Sequence, residues 1–126
     1  MKNPVVSELD ITPLPDARGI CLSGDLDFST TSLFTDAAHA FSPGDKLQLD
    51  LTELVLVDSA GLHALLGLAR TRANRSLILV NPRASVLRSF EIAGLDRHPA
   101  IEIRDAGTRA RVPGRTRKSG SLRRAG

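Results

Sequence analysis

The chain has 126 residues, 41% hydrophobic and 25% charged, with one cysteine, no tryptophan and no tyrosine. That length fits one domain able to bury a core without a disulfide or metal, and the lone Cys21 excludes an intrachain disulfide. The net charge of +3 hides a division: residues 1–103 hold 9 Lys/Arg against 13 Asp/Glu (−4), whereas residues 104–126 hold 8 Lys/Arg against Asp105 alone (+7).

The first strand is expected over Val5 to Ile11, where Val5, Leu9 and Ile11 share one side. Pro13-Leu14-Pro15-Asp16 reads as a turn, and Ile20-Cys21-Leu22 as the returning strand of a hairpin. Cys21, inside that apolar run, is expected to be a small core residue, and such sparing cysteine usage suits a reducing compartment. Ser29-Thr30-Thr31 offer N-cap hydroxyls to a helix carrying Leu33, Phe34, Ala37, Ala38 and Phe41 on one face, which Pro43-Gly44 stops.

Leu47, Leu49 and Leu51 alternate with polar residues as a half-buried strand does, and the apolar run continues through Leu54 to Val57. After Asp58-Ser59, helical spacing returns at Leu62, Leu65, Leu66 and Ala69. Leu77 to Val80 is a short interior strand closed by Asn81-Pro82. A last helix carries Val86, Leu87, Phe90 and Ala93, with Gly94 as its C-terminal cap and Leu95 as the apolar follower. Ile101 and Ile103 suggest an edge strand. Strands alternating with helices predict an α/β fold on a mixed or largely parallel sheet of about four to five strands with about three to four helices packed on it. Residues 105–126 are Arg, Gly, Ser and Thr with almost nothing apolar, so a disordered basic tail is expected after a folded unit over 1–104. No apolar stretch approaches the roughly 20 residues of a membrane span. With no apolar signal core behind Met1-Lys2-Asn3-Pro4, a cytoplasmic location is expected.

Chemistry concentrates where an apolar strand delivers Asp58-Ser59 into the start of an amphipathic helix. Ser59 can serve as that helix's N-cap, or its hydroxyl can carry a phosphate, which unpaired first-turn amides and the helix dipole would favour. The competing chemistries fit poorly. A nucleophile elbow needs Gly two residues before the serine, and Val57 stands there. His39, His63 and His98 with one cysteine give no metal spacing, and no Gly-rich phosphate cradle is present, so neither a bound cofactor nor an enzyme is expected. A receiver domain would need an acidic cluster after its first strand and a lysine after its last, and neither is here. The tail lacks the aromatic interleaving of a nucleic-acid binder, so direct DNA binding is not expected.

Gly24-Asp25-Leu26-Asp27, then Leu49-Asp50-Leu51 through Val57-Asp58-Ser59-Ala60-Gly61-Leu62, then Asn81-Pro82 with Leu87, Phe90 and Gly94-Leu95, resemble the STAS domain, and within it the anti-sigma factor antagonists. The resemblance covers about residues 5–103. It implies that Ser59 is phosphorylated by a partner that is both anti-sigma factor and ATP-dependent serine kinase. It implies further that the unphosphorylated protein binds that kinase and frees a sigma factor, and that a PP2C-type phosphatase resets the switch. It matches Asp27, Asp58 and Ser59 to partner-binding positions. Gly61 in the same element and His63, an exposed helix residue expected to flank that surface, complete the expected partner-binding set. Ala60 stands where many relatives carry Ser or Thr, which leaves Ser59 as the acceptor. The alternative is a non-enzymatic STAS scaffold or accessory subunit of a sensory or lipid-transport complex, without a phosphorylation cycle.

Overall fold

The computed structural model describes residues 8–105. The elements run β1 (Leu9–Pro13), β2 (Gly19–Leu26), α1 (Thr31–Ala38), β3 (Leu47–Val57), α2 (Ser59–Arg70), β4 (Leu77–Val80), α3 (Ala84–Ala93), a 3₁₀ turn (Leu95–Arg97) and β5 (Ile101–Arg104). The expected start of the first strand at Val5, and all of the tail after Asp105, lie outside the described residues.

The five strands lie side by side in chain order; β1 and β2 are antiparallel and every later pair is parallel. Each parallel pair therefore needs a crossover helix, and α1, α2 and α3 supply the three. Crossovers of this kind are right-handed almost without exception. When strand order advances in one direction only, that handedness places every helix on the same side. The core agrees: Leu22, Leu49 and Leu79 of the sheet join Phe34 of α1, Leu65 of α2 and Phe90 of α3 in one buried cluster.

Two sequence expectations change in detail. Cys21 is half-buried rather than a core residue, because Ile20 and Leu22 on either side of it face the helices and strand parity turns it away. The first helix ends at Ala38, and the chain tightens into a turn in which the Phe41 N–H donates to the Ala38 carbonyl (3.1 Å). The apolar runs 47–51 and 54–57 are one strand of 11 residues. It keeps its core face because a bulge absorbs the phase change: Cys21 pairs with Asp50 but Ser23 pairs with Glu53, so three steps on β3 match two on β2. Gly94 caps α3 as expected, at φ +83, a conformation that favours residues without a Cβ. Among the described residues no helix is long and apolar enough to cross a membrane.

Candidate functional site

The ends of β2 and β3 adjoin, with Leu26 opposite Val57 and Asp25 opposite Leu56. This brings Gly24-Asp25-Leu26-Asp27 and Asp58-Ser59, separated by some thirty positions in sequence, to one end of the sheet. The stitch between them is made by backbone. The Leu26 carbonyl accepts the Asp58 N–H (3.3 Å), and the bare Cα of Gly61 packs against that same carbonyl. A Cβ on Gly61 would sit 2.3 Å from the Leu26 oxygen, so this buried glycine sets how closely α2 approaches β2.

The N-cap of α2 is Asp58, not Ser59. Asp58 is extended (φ −96, ψ −174) and its Oδ1 accepts the Gly61 N–H at 2.8 Å. Its Oδ2 accepts the Phe28 N–H at 3.2 Å, so one carboxylate ties the helix start to the loop after β2. Asp and Ser are comparable caps. Asp58 takes the position because it is the last non-helical residue, and its second oxygen gains a partner that a hydroxyl could not serve as well. Ser59 is thereby moved to the first helical position, and its side chain is exposed. The helix's own ladder begins with the Leu62 N–H on the Asp58 carbonyl (2.9 Å). With Gly61 capped, the amides of Ser59 and Ala60 are the ones at the helix end outside these bonds.

Asp27 organises the facing loop. Its Oδ1 accepts from the Ser29 N–H (3.0 Å) and the Ser29 hydroxyl (2.8 Å). Thr30, the N-cap residue of α1, makes no cap bond with its side chain. Its buried hydroxyl instead accepts the Asp27 N–H (2.9 Å) and donates to the Asp25 carbonyl (2.9 Å), fixing the turn. His63 is exposed in the second turn of α2 and borders a groove of about 260 Å³ that is closed by Phe34 and Ala38 of α1 and by His39 just past its end. Among the described residues no three His, Cys, Asp or Glu side chains gather as a metal site.

Sequence reasoning missed Phe28. It is 82% exposed, and its amide is bonded to the Asp58 carboxylate. Leu56, opposite Asp25, is 46% exposed, and Val55 is also exposed. Apolar side chains left in water are positions where a partner would gain by covering them. The available signal was an aromatic isolated in Asp27-Phe28-Ser29-Thr30, with no helical or strand stripe to absorb it.

A family model described as "Mlab, STAS domain" matches residues 13–104. The chain belongs to the STAS family. Solved structures share the fold of this STAS domain at low sequence identity. An anti-sigma factor antagonist from Mycobacterium paratuberculosis superposes with a TM-score of 0.61 at 19% identity, covering 80% of this chain and 89% of that one. A Thermotoga maritima protein assigned as an anti-sigma factor antagonist gives 0.57 at 20% identity, with 78% and 86% covered. The anti-sigma factor antagonist SpoIIAA in its unphosphorylated form gives 0.54 at 19%, with 83% and 90% covered. No curated protein matches the chain.

Proposed function

We propose that this STAS domain is an anti-sigma factor antagonist that binds an anti-sigma serine kinase through the surface around Ser59 and is switched off when that kinase phosphorylates Ser59. The observation that carries this reading is the placement of Ser59: exposed, at the first position of α2, relieved of capping by Asp58 and bordered by exposed Phe28. The kinase would transfer the γ-phosphoryl group of ATP to the Ser59 oxygen, with ADP leaving and the hydroxyl proton lost. A PP2C-type phosphatase would hydrolyse the ester and restore the binding form.

The electrostatics suit such a switch. Phosphorylation adds about −1.5 to −2 charges at neutral pH. They fall beside Asp58, near the β2 end that carries Asp25 and Asp27, while the helix dipole offsets only about 0.3–1 kcal/mol of the repulsion. Turning a 99:1 bound population into 1:99 requires about 5.5 kcal/mol of differential affinity. Like charges against a complementary interface can supply several kcal/mol, so the fold need not rearrange. In this reading Asp27, Asp58 and Gly61 shape the surface, Phe28 and Leu56 anchor the partner, and His63 flanks it.

The test is incubation with a cognate kinase and ATP, followed by intact mass and calorimetry. One phosphate is expected, absent in Ser59→Ala. Unmodified protein and Ser59→Ala should bind the kinase, Ser59→Asp weakly, and the phosphoprotein weakest. Asp27→Asn keeps the Oδ1 acceptor for Ser29 and so should stay folded while binding less well. The scaffold reading also has support, because the matching family model is described as Mlab and not as an antagonist. Equal affinity of the unmodified and phosphorylated forms would decide for it.

A further inference from the structure

Because the three helices of the described residues pack on one side, none of them lies over the other face of the sheet. Largely parallel sheets are normally covered on both faces. The register defines what this open face carries. Arg104 pairs with Val80, Val80 with Asp50, Asp50 with Cys21 and Cys21 with Thr12, so one row of side chains crosses all five strands. A neighbouring row holds Asp10, Ser23 and Glu53. At the β5 edge, Glu102 is already paired with Arg75 and Arg104. Asp10, Asp50 and Glu53 take part in no ion pair among the described residues. Burial, then the charge of Asp50, push the Cys21 thiol above its ordinary pKa, opposed by a Thr12 hydrogen bond and aided more weakly by Glu53, which places both carboxylates near the middle of the face. Between the first hairpin turn and β3 the face dips into a cleft of about 270 Å³, with Leu14, Pro15 and Val80 in its wall and Asp16 and Asp50 among its lining residues.

The chain itself supplies a complementary occupant. Residues 106–126 hold seven cations (Arg109, Arg111, Arg115, Arg117, Lys118, Arg123 and Arg124) and no acid. They leave the domain just past Arg104, at one end of the row that contains Asp50. Two strand spacings, about 10 Å, separate Arg104 from Asp50. Twenty-one residues extend to about 70 Å, so the segment reaches every carboxylate on the face with slack. The other acidic region, around Asp25, Asp27 and Asp58, is less suited: β3 runs seven residues past Asp50 to reach it, about 23 Å further along the strand. Local engagement does not separate the two regions, since Asp50 Oδ1 accepts the Thr52 N–H (3.0 Å) and hydroxyl (2.7 Å) much as Asp27 and Asp58 accept the Ser29 and Gly61 amides. The distance does.

We propose that the basic segment 106–126 lies across the helix-free face of the sheet, held by Asp10, Asp50 and Glu53. The attraction requires no fixed conformation, which suits a segment without apolar anchors. Tethering keeps its cations at high effective concentration over the face. The cover is intramolecular and leaves the Ser59 end open, so it stands whether or not the switch reading does.

The test places a nitroxide on the segment, in the full chain carrying Cys21→Ser and Ser121→Cys, and reads amide intensities in a dilute sample. Amides of Asp10, Thr12, Ser23, Asp50 and Glu53 should lose about twofold or more in intensity relative to those of α1 and α2. The loss should vanish in about 1 M salt, where the screening length is about 3 Å, and in Asp10→Lys/Glu53→Lys. No loss, a uniform loss, a loss centred on Phe28 and Ala60, or one that grows with protein concentration overturns the proposal. The unaltered chain gives a second reading through carbodiimide coupling of Lys118, the one lysine in the segment. Coupling to Asp10, Asp50 or Glu53 within one molecule supports the cover; coupling confined to other carboxylates overturns it.

Discussion

At the residue scale, Asp58 and Ser59 divide two jobs that either side chain could attempt. The carboxylate serves two amides, one in its own helix and one in the loop after β2, which frees the hydroxyl at the first helical position. Asp58→Ala should therefore cost about 1–2 kcal/mol, the range of a lost N-cap. Ser59→Ala should stay within about 0.5 kcal/mol, as exposed substitutions usually do. Urea midpoints measure both, and the reverse order would return the cap to Ser59. Gly61 poses a contest of magnitudes. Alanine gains about 0.8–1.0 kcal/mol of helix propensity over glycine. Its Cβ would lie 2.3 Å from the Leu26 carbonyl oxygen, where both sides are backbone and neither yields without moving α2. Overpacking of that kind costs about 1–3 kcal/mol, so Gly61→Ala is expected to be net destabilising. A rise in melting temperature would show that α2 has room to shift.

At the element scale, the turn between α1 and β3 is held from outside by Arg72, just past the end of α2. Its guanidinium donates to the Ser42 carbonyl (2.9 Å) and to the Asp45 carbonyl, two acceptors within one loop. Burial lowers the guanidinium's pKa and nearby Asp45 opposes the effect, so the cation is partly desolvated where it works. Arg72→Ala leaves these carbonyls without their charged donor and should cost about 1–3 kcal/mol. Hydrogen exchange should quicken around Ser42 and Asp45, while a phosphorylation rate at Ser59 should hold. Both bonds come from one nitrogen, Nη2, so Arg72→Lys, whose ammonium also has several donors but a shorter reach, should restore part of the loss. Uniform quickening of exchange across the sheet would mean that Arg72 supports the whole fold and not this loop.

At the scale of the whole molecule, the edge strand β5 is tied to the loop before β4 by the Glu102–Arg75 ion pair (3.2 Å) as well as by backbone. Arg104 pairs with Glu102 within the strand. Arg104, with smaller contributions from Arg75 and Lys46, holds the Glu102 carboxyl below its usual range against an opposing effect of burial. A carboxyl whose folded pKa is depressed stabilises the fold above its unfolded pKa, about 4.3, and loses that contribution as pH falls through the folded value. Melting temperature should therefore drop as the solution is acidified below about pH 4.3, and the drop should be shallower in Glu102→Gln. Thermal melts from neutral to acid pH check this. An equally steep drop in the variant would assign the acid sensitivity to other carboxylates.

The elements were legible in the sequence because each has a period and a stop signal of its own: alternation at Leu47, Leu49 and Leu51, helical spacing from Leu62 to Ala69, and a left-handed cap at Gly94. The same local logic marked Asp58-Ser59 as the place where a strand feeds a helix. Local pattern does not reach across thirty residues. It could not show that Asp58 would spend its second oxygen on the Phe28 amide, and so it left Ser59 as a candidate for the cap. Nor could it show that Phe28 would stay in water, since exposure depends on what packs nearby and not on the residue's own hydropathy. Cys21 was misplaced for a related reason: an apolar run does not reveal which of its alternate positions faces the helices until the sheet has a covered side. That side is set by strand order and crossover handedness, properties of the assembled sheet alone. The sequence by itself determined the elements and marked Asp58-Ser59 as the junction of strand and helix. The tertiary structure decided which side chains share a face, because pairing register and handedness relate residues that are neighbours only in space.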